Sequence, residues 1–457
     1  MNLFLQSDSR PLHFVGIGGA GMSALAMVAL RRGVRVTGTD ADISGSTDLV
    51  KAGAVVAEGS SPLLVGEAGA VVASAAIPPG HPDLVEAARL GLPIVPRKQA
   101  LAGLVAGATV VAVAGTHGKT TTTVMTTEAL IGAGRDPTGL AGGRVASWGG
   151  NARMGGTALF VVEADEYDQA FLTLTPTVAI INNVEPDHLE CYGSVEAMEA
   201  AYFQFAQPAE RVLVGTDGAG PDRVAAAIGS RVWRFGPGAP DLGLEAVQLS
   251  ERGSRATVRF PDGSAVPLAL QVPGLHNLRN GLAALGAAYA LGADVSGAAT
   301  ALAAYAGVGR RFERVGEAGG VAIVDDYAHH PTELAATLAA ARQAYPGRRL
   351  VAVFQPHLYS RTALHAEAMG QAVAAADLAV VTDVYGAREA PVPGVTGALV
   401  AAAAERQSGA RVRYVADRSQ LTGIVADLLE SGDIVITLGA GDVTRVGREL
   451  LGRLADR

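Results

Sequence analysis

An α/β fold of three domains is what this sequence predicts, and three observations predict it. Short apolar, β-branched runs alternate with helix-patterned segments along most of the 457 residues. Two of those runs lead directly into glycine turns, Gly16–Gly21 and Gly115–Gly118. A chain of this length corresponds to about three domains. The expected order is a Rossmann-like N-terminal domain over residues 1–107, a central domain over 108–308 built on a parallel sheet with a small β meander, and a C-terminal doubly wound, Rossmann-like α/β domain over 309–457.

The elements follow from pattern. Leu12 to Val15 reads as a strand, Met22 to Arg31 as a helix, and Val34 to Thr39 as a second strand ending at Asp40. Val71 to Ser74 is a further strand and Pro82 to Leu90 a helix, with a short connection at Leu104 to Ala108. In the central block Thr109 to Ala114 is a strand and Thr120 to Ile131 its helix. Leu159 to Val162 and Val178 to Ile181 are buried parallel strands by composition. Leu244 to Leu270 changes to short alternating segments with turns such as Pro261-Asp262-Gly263, which predicts the meander. Ala-rich helices follow at about 278–290 and 296–305. The third block places strands at Val321 to Val324, Leu350 to Phe354, Ala379 to Thr382, Arg411 to Val415 and Ile434 to Thr437, separated by helices.

Composition narrows the classes. Apolar residues make up 49% and charged residues 18%, so large cores are expected. A net charge of −8 argues against a nucleic-acid binder. One cysteine, Cys191, allows no internal disulfide and fits a reducing compartment. No leader pattern and no long apolar span is evident, so a cytoplasmic chain without membrane attachment, monomer or homodimer, is expected.

The chemistry-bearing motifs sit at strand ends. Gly115-Thr116-His117-Gly118-Lys119-Thr120-Thr121 lies between a buried strand and a helix. Such a turn aims N–H groups at phosphate oxygens, with the helix dipole favouring the negative charge and a lysine reaching the terminal phosphates. The pattern is shorter than the strict P-loop, with Val113 at the first glycine position. It predicts a P-loop ATPase-like central domain that binds ATP. Gly16-x-Gly18-Gly19-x-Gly21, with Asp40 closing the next strand, fits a diphosphate-binding turn. A dinucleotide and a nucleotide-diphosphate sugar satisfy it equally. Glu163, Asp165, Glu166 and His188 end two strands, and Glu163, His188 and Thr120 form a candidate Mg²⁺ site, with Asp165, Glu166 and Asp187 behind it. Asn280 lies one helical turn after His276, on a face suited to an adenine edge or to a plain N-cap. Arg310-Arg311 is a candidate phosphate clamp. Asp325 to Glu333 reads as a substrate-facing loop, and Gln355 to Thr362 and Gly439 to Asp442 also sit at strand ends. The paired histidines His329-His330 have no zinc spacing around them. Nothing signals a Ser or Cys nucleophile.

Taken together and in order, HFVGIGGAGMS (13–23), AGTHGKTTTT (114–123), EADEYD (163–168), NNVEPDHLE (182–190), GLHNLRN (274–280), GVGRRFE (307–313), DDYAHHPTE (325–333), FQPHLYSRT (354–362) and LGAGD (438–442) resemble the Mur ligases. These are ATP-dependent amide-forming enzymes of peptidoglycan precursor synthesis. The resemblance implies that Gly16, Gly18, Gly19, Gly21, Asp40 and Ser74 bind a UDP-sugar. It implies that Lys119 meets the ATP phosphates and that Thr120, Glu163 and His188 surround Mg²⁺. Asn277 and Asn280 match positions implicated in ATP binding and catalysis. Arg311 and Asp326 match positions where the C-terminal domain closes over the nucleotide. His329, His330, His357 and Arg361 resemble the region receiving the amino acid. Several members carry a carbamylated lysine fifteen residues after the histidine matching His188. Here Phe203 stands there, and no lysine follows Lys119. That favours the branch joining L-alanine to UDP-N-acetylmuramate, with a peptide-recycling ligase as the alternative inside the family. EADEYD departs slightly from the EADESD of some members, at Tyr167.

The implied reaction transfers the γ-phosphoryl group of ATP to a carboxylate, and an amine then attacks the acyl phosphate. Candidate bases for the amine are His188 and the His329–His330 pair. Outside the family, the first glycine turn alone would fit an NAD-dependent oxidoreductase, and the second alone a nucleotide-switched binding module.

Overall fold

The computed structural model describes residues 3–4, 9–250, 253–387, 389–407 and 411–455. The chain divides into two compact units. One comprises Met1–Glu245, Thr257–Leu268 and Arg279–Ala304, the other Ala246–Ala256, Ala269–Leu278 and Tyr305–Arg457.

Strands β1 (Leu12–Val15), β2 (Val36–Asp40), β3 (Val55–Glu58), β4 (Ala70–Ala73) and β5 (Ile94–Pro96) form a sheet in the order β3-β2-β1-β4-β5. All its pairings are parallel. The central strand β1 is fully buried, whereas the edges β3 and β5 are largely exposed, so their weak apolar signal escapes a sequence reading. A buried polar knot holds this sheet. His13 Nδ1 lies 2.9 Å from Thr37 Oγ1, and the fully buried Asp83 accepts from Thr39 Oγ1 (2.6 Å) and Ser61 N (2.7 Å). The reversal of strand order falls between β1 and β4, the place where such sheets leave a crevice for a ligand.

The second sheet comprises β6 (Thr109–Ala114), β7 (Thr138–Val145), β8 (Gly150–Arg153), β9 (Leu159–Glu163), β10 (Val178–Ile181), β11 (Arg211–Gly215), β12 (Val232–Pro237), β13 (Leu242–Ser250), β14 (Gly253–Arg259) and β15 (Ala265–Leu270). Its order is β15-β14-β13-β12-β11-β10-β6-β9-β7-β8. The expected meander is present, and it extends the edge of this sheet. Strand β6 lies between β10 and β9, with Ile181 beside Ala114 and Glu163 beside Val113. The chemistry-bearing residues just after these strands therefore converge.

The second unit carries β16 (Glu313–Ala318), β17 (Val321–Asp326), β18 (Leu350–Phe354), β19 (Leu378–Thr382), β20 (Val412–Val415) and β21 (Ile434–Leu438), ordered β16-β17-β21-β18-β19-β20. All pairings are parallel except the antiparallel edge strand β16. Among the described residues, no helix is long and apolar enough to cross a membrane.

One segment differs from expectation. The connection expected at 104–108 is shorter than read: Leu104 and Val105 are the end of a helix, Arg97–Val105, and the turn itself is Ala106–Ala108. The hydrophobic pattern of the helix is weak because it packs in part through charged side chains, Arg97 and Lys98 (below).

Candidate active site

The second glycine turn is built around two left-handed glycines. Gly115 has φ +135° and Gly118, which precedes helix Lys119–Gly132, has φ +79°. At Gly118 a Cβ would stand 2.9 Å from Asn280 Oδ1 and 3.0 Å from Asn182 Nδ2, so this position requires glycine twice over. The turn is braced from β10. Asn183 Oδ1 accepts from His117 N (2.9 Å), and its amide lies 2.7 Å from His117 Nδ1. Asn182 Nδ2 donates to His117 O (3.3 Å) and Thr122 Oγ1 (3.1 Å), and Thr122 Oγ1 donates to Asn280 Oδ1 (3.1 Å). His117 Nε2 lies 3.1 Å from Glu185 Oε1, and Thr116 Oγ1 accepts from Glu185 N at 2.9 Å. Thr120 and Thr121 are buried in the first turn of the helix.

Lys119 folds back over this turn. Its Nζ donates to Gly115 O (2.6 Å), Thr116 O (3.1 Å) and Glu166 Oε1 (2.7 Å). Burial opposes its charge, but the Glu166 carboxylate, aided by Glu163 and Asp165, holds the ammonium above the ordinary lysine range. Burial also pushes Glu166 upward, and Lys119 is the main force holding it down. Glu166 Oε2 is buried without a hydrogen-bond partner. Glu163 Oε2 accepts from Gly142 N (2.6 Å). His188 has φ +52°, lies edge-on to Tyr167 at 5.2 Å between ring centroids, and acts electrostatically on Glu166. The strand ends thus gather Lys119, Glu163, Asp165, Glu166 and His188 into one electrostatic neighbourhood. Carboxylate and hydroxyl oxygens with one imidazole, beside a buried carboxylate oxygen lacking a partner, make a donor set that fits Mg²⁺.

The first glycine turn is closed by β2. Gly16 (φ +84°) donates to Thr39 O (2.8 Å), and its Cα approaches Ser74, whose Cβ would be 3.3 Å from a side chain there. Gly18 N donates to Asp40 Oδ2 (2.8 Å), and Asp42 N donates to Asp40 Oδ1 (3.2 Å). Asp40 therefore fastens the turn itself. Gly19 precedes helix Ala20–Arg31, which has no side-chain cap.

In the second unit, Asp326 Oδ2 accepts from Phe312 N (2.7 Å) and Oδ1 from Ala328 N (2.8 Å) and Thr337 Oγ1 (3.3 Å). Arg310 and Phe312 hold positive φ, +60° and +53°. Arg310 Nη2 donates to Gly439 O (2.6 Å), and Arg311 Nη1 lies 3.5 Å from Glu333 Oε1. Both guanidinium groups lie over Tyr327, at 4.8 and 5.0 Å from its centroid. Beyond β18, His357 stacks on Tyr385 (5.9 Å), meets His329 edge-on (5.9 Å), and its Nδ1 lies 3.3 Å from Arg361 Nη1. The structure thus brings His329, His357 and Arg361 together. His330, 5% exposed, instead precedes helix Pro331–Ala344 and faces His365 at 5.0 Å. Asn277, at the start of helix Leu275–Ala290, donates to Pro273 O (2.7 Å).

Three family models match in sequence order. They are the Mur ligase family catalytic domain at residues 11–109, the Mur ligase middle domain at 113–288, and the Mur ligase glutamate ligase domain at 310–441. The chain is 46% identical to the UDP-N-acetylmuramate–L-alanine ligase of Mycobacterium sp. (strain JLS), over 99% of this chain and 97% of that protein. The chain belongs to the Mur ligase family. The Kineococcus radiotolerans protein of the same name is also 46% identical, with coverage of 98% and 96%. Among solved structures, UDP-N-acetylmuramate–alanine ligase from Thermotoga maritima superposes with a TM-score of 0.83 at 27% identity, covering 97% of this chain and 99% of that one. A murein peptide ligase from Psychrobacter arcticus gives 0.74 at 27% identity, covering 98% and 99%.

This Mur ligase also uses residues that motif reading left without a role: Asn182 and Asn183 brace the phosphate turn, and Gly142 fixes Glu163. Glu166, expected behind the Mg²⁺ site, neutralises Lys119. Adjacent asparagines at the end of an apolar strand were the available signal for the first two. Gly142 gives no signal in sequence, because its partner is 21 residues away in a neighbouring strand.

Asp326 of this Mur ligase provides a pH test. Burial pushes its carboxyl up to about 6, against the pull of Arg311 and the N–H groups of Ala328 and Phe312. A folded-state value above the unfolded one means stability is highest when the group is protonated and falls as pH rises through about 6. The loss is about 3 kcal/mol between the two limits. Asp326→Asn should start less stable, because an amide turns an NH₂ toward one of the backbone donors. Its thermal midpoint should nevertheless fall less between pH 4 and pH 7, the range spanning the two values, than that of the wild type. Equal slopes would remove Asp326 as the source.

Proposed function

We propose that this Mur ligase joins L-alanine to the carboxyl group of UDP-N-acetylmuramate at the expense of ATP, through an acyl phosphate. Residues 1–107 bind the sugar nucleotide through Gly16, Gly18, Gly19, Gly21 and Ser74, with Asp40 shaping the turn. Residues 108–308 bind ATP on the turn 115–121 with Asn280. Residues 309–457 receive the amino acid near His329, His357 and Arg361, and close over the nucleotide with Arg311. The observation that carries the reading is Lys119, a part-buried, charged lysine at the end of a braced phosphate turn with carboxylates around it. Relatives of nearly the same length bear the alanine-ligase name, which supports this substrate pair. The murein peptide ligase superposes less well than the alanine ligase, and the nicotinamide reading gains no support.

In this reaction Lys119 leaves its loop carbonyls to neutralise the phosphoryl group in flight, and the N–H groups of the turn hold the remaining phosphate oxygens. Thr120, Glu163 and His188 would hold Mg²⁺, which supplies further charge neutralisation on the phosphates. The acyl phosphate needs protection from water, which closure of the C-terminal block provides. We place the reaction in the cytoplasm, where ATP is available.

Phosphate release tests the proposal. It should require both UDP-N-acetylmuramate and L-alanine, with weaker or no turnover on glycine, L-serine or a tripeptide. Release supported only by the tripeptide would favour the recycling reaction, and release without any acceptor would leave a simple ATPase.

A further inference from the structure

A cavity of about 230 Å³ lies between the first glycine turn and the Glu163 carboxylate. Its walls include Gly21, Leu25, Arg97, Leu140, Gly142 and Glu163. Apolar side chains share that wall with three charged ones, Arg97, Glu163 and Asp165, a mixture suited to a small organic ligand with an ionised end.

Arg97 is the cation in that wall. It opens helix Arg97–Val105 just beyond β5, and its Nη2 donates to Asp165 Oδ2 at 2.8 Å. Its other terminal nitrogen lies over the start of helix Ala20–Arg31, so close that a Cβ on Gly21 would be 2.7 Å from Nη1. This is an unfavourable placement for a cation. A helix N-terminus carries a partial positive charge, and this helix has no side-chain cap and no acidic residue in its first turn. Two positive features meet at one spot, and Asp165 offsets only one of them; Glu163, also in this wall, accepts from Gly142 N and is the carboxylate that would hold Mg²⁺. Asp165 is itself fixed, since its Oδ1 accepts from Tyr167 N at 3.1 Å. Such an arrangement is completed by an anion, and a planar guanidinium matches a carboxylate with two parallel hydrogen bonds.

We propose that Arg97 recognises the acid group of the sugar nucleotide and holds that carboxylate in this cavity, on the Glu163 side. The inference rests on the sugar-nucleotide reading given above and adds a specificity residue to it. A side chain at Gly21 would displace the Arg97 guanidinium from this position. Arg97 also links the first glycine turn to the EADEYD segment (163–168), because it lies beside Gly21 and bonds Asp165.

Two ligands separate the sources of negative charge. UDP-N-acetylmuramate and UDP-N-acetylglucosamine share the diphosphate, and only the first has the acid. Calorimetry on the wild type, Arg97→Ala and Arg97→Lys should show the acid-bearing ligand weakened about tenfold to a hundredfold by Arg97→Ala, as for loss of a charge-assisted pair. UDP-N-acetylglucosamine should change by less than about twofold, within the range of a residue that does not touch it. Arg97→Lys keeps the charge and the Asp165 partner but not the fork. It should weaken the acid-bearing ligand by an intermediate factor, and it serves as the reading if the alanine variant fails to fold. Equal weakening of both ligands would overturn the proposal in favour of a diphosphate contact. No weakening of either would reduce Arg97 to a tie between elements, and would also overturn it. A wild type that binds neither ligand while binding ATP would instead reject the sugar-nucleotide reading, and this inference with it.

Discussion

Lys119→Ala should reduce phosphate release by about a thousandfold or more, the scale seen when a preorganised charge facing a transition state is removed, while calorimetry still detects the sugar nucleotide. The reasoning begins with geometry. Nζ is held by two loop carbonyls and Glu166 Oε1 within 3.1 Å, so the charge already sits where the turn directs its N–H groups. No other lysine follows it in the chain, so none downstream can substitute. The same substitution also strands Glu166 in a buried position. Breaking a buried pair by removing one partner costs about 3–5 kcal/mol, and Glu166 escapes part of that by taking up a proton. Lys119→Ala should therefore be less stable than wild type, increasingly so at higher pH. Adding Glu166→Gln should restore stability without restoring turnover. If the double variant recovered activity, Lys119 would be a structural counterion only. If Lys119→Ala lost the sugar nucleotide and kept ATP, the two nucleotide sites would be assigned the wrong way round.

Gly142→Ala is the second substitution with a large expected effect. A Cβ at this position would stand 2.7 Å from Glu163 Cδ and Oε2, and nearer still to Oε1. The Gly142 N–H is also the donor that fixes the carboxylate. One methyl group therefore displaces Glu163 without touching its chemistry. Turnover should fall about a hundredfold, the order expected for an ångström-scale misplacement of a positioning group. The Mg²⁺ concentration giving half-maximal rate should rise. Folding should be largely kept, because β7 is exposed at Gly142 itself. Loss of rate with an unchanged Mg²⁺ requirement would place Glu163 outside the metal site.

Much of the fold was legible because the buried strands are long β-branched runs: Thr109–Ala114, Val178–Ile181 and Val321–Asp326 declare themselves. The edge strands Val55–Glu58 and Ile94–Pro96 do not, since their exposed faces remove the apolar signal. The hairpin Thr138–Val145 and Gly150–Arg153 is glycine-rich and equally silent. At the site, residues that ring a glycine turn within a few positions were readable. Residues that act across strands were not. Arg97 and Gly142 acquire meaning only through partners 68 and 21 positions away. Asp40, at the end of β2, has both its oxygens accepting from backbone N–H groups, those of Gly18 and Asp42, a local role that its position in sequence does not declare.

Arg310 and Phe312 adopt a backbone twist that ordinary side chains avoid, at a cost of about 1–2 kcal/mol each. Each is pinned by a carboxylate on its N–H: Glu313 for Arg310 at 2.7 Å and Asp326 for Phe312. Glycine at either place would relax the main chain and surrender the direction in which it enters β16. The joint is thus cocked like a latch, with two acids as its catch, so the energy spent on bending it is recovered as a fixed aim for the arginines it carries.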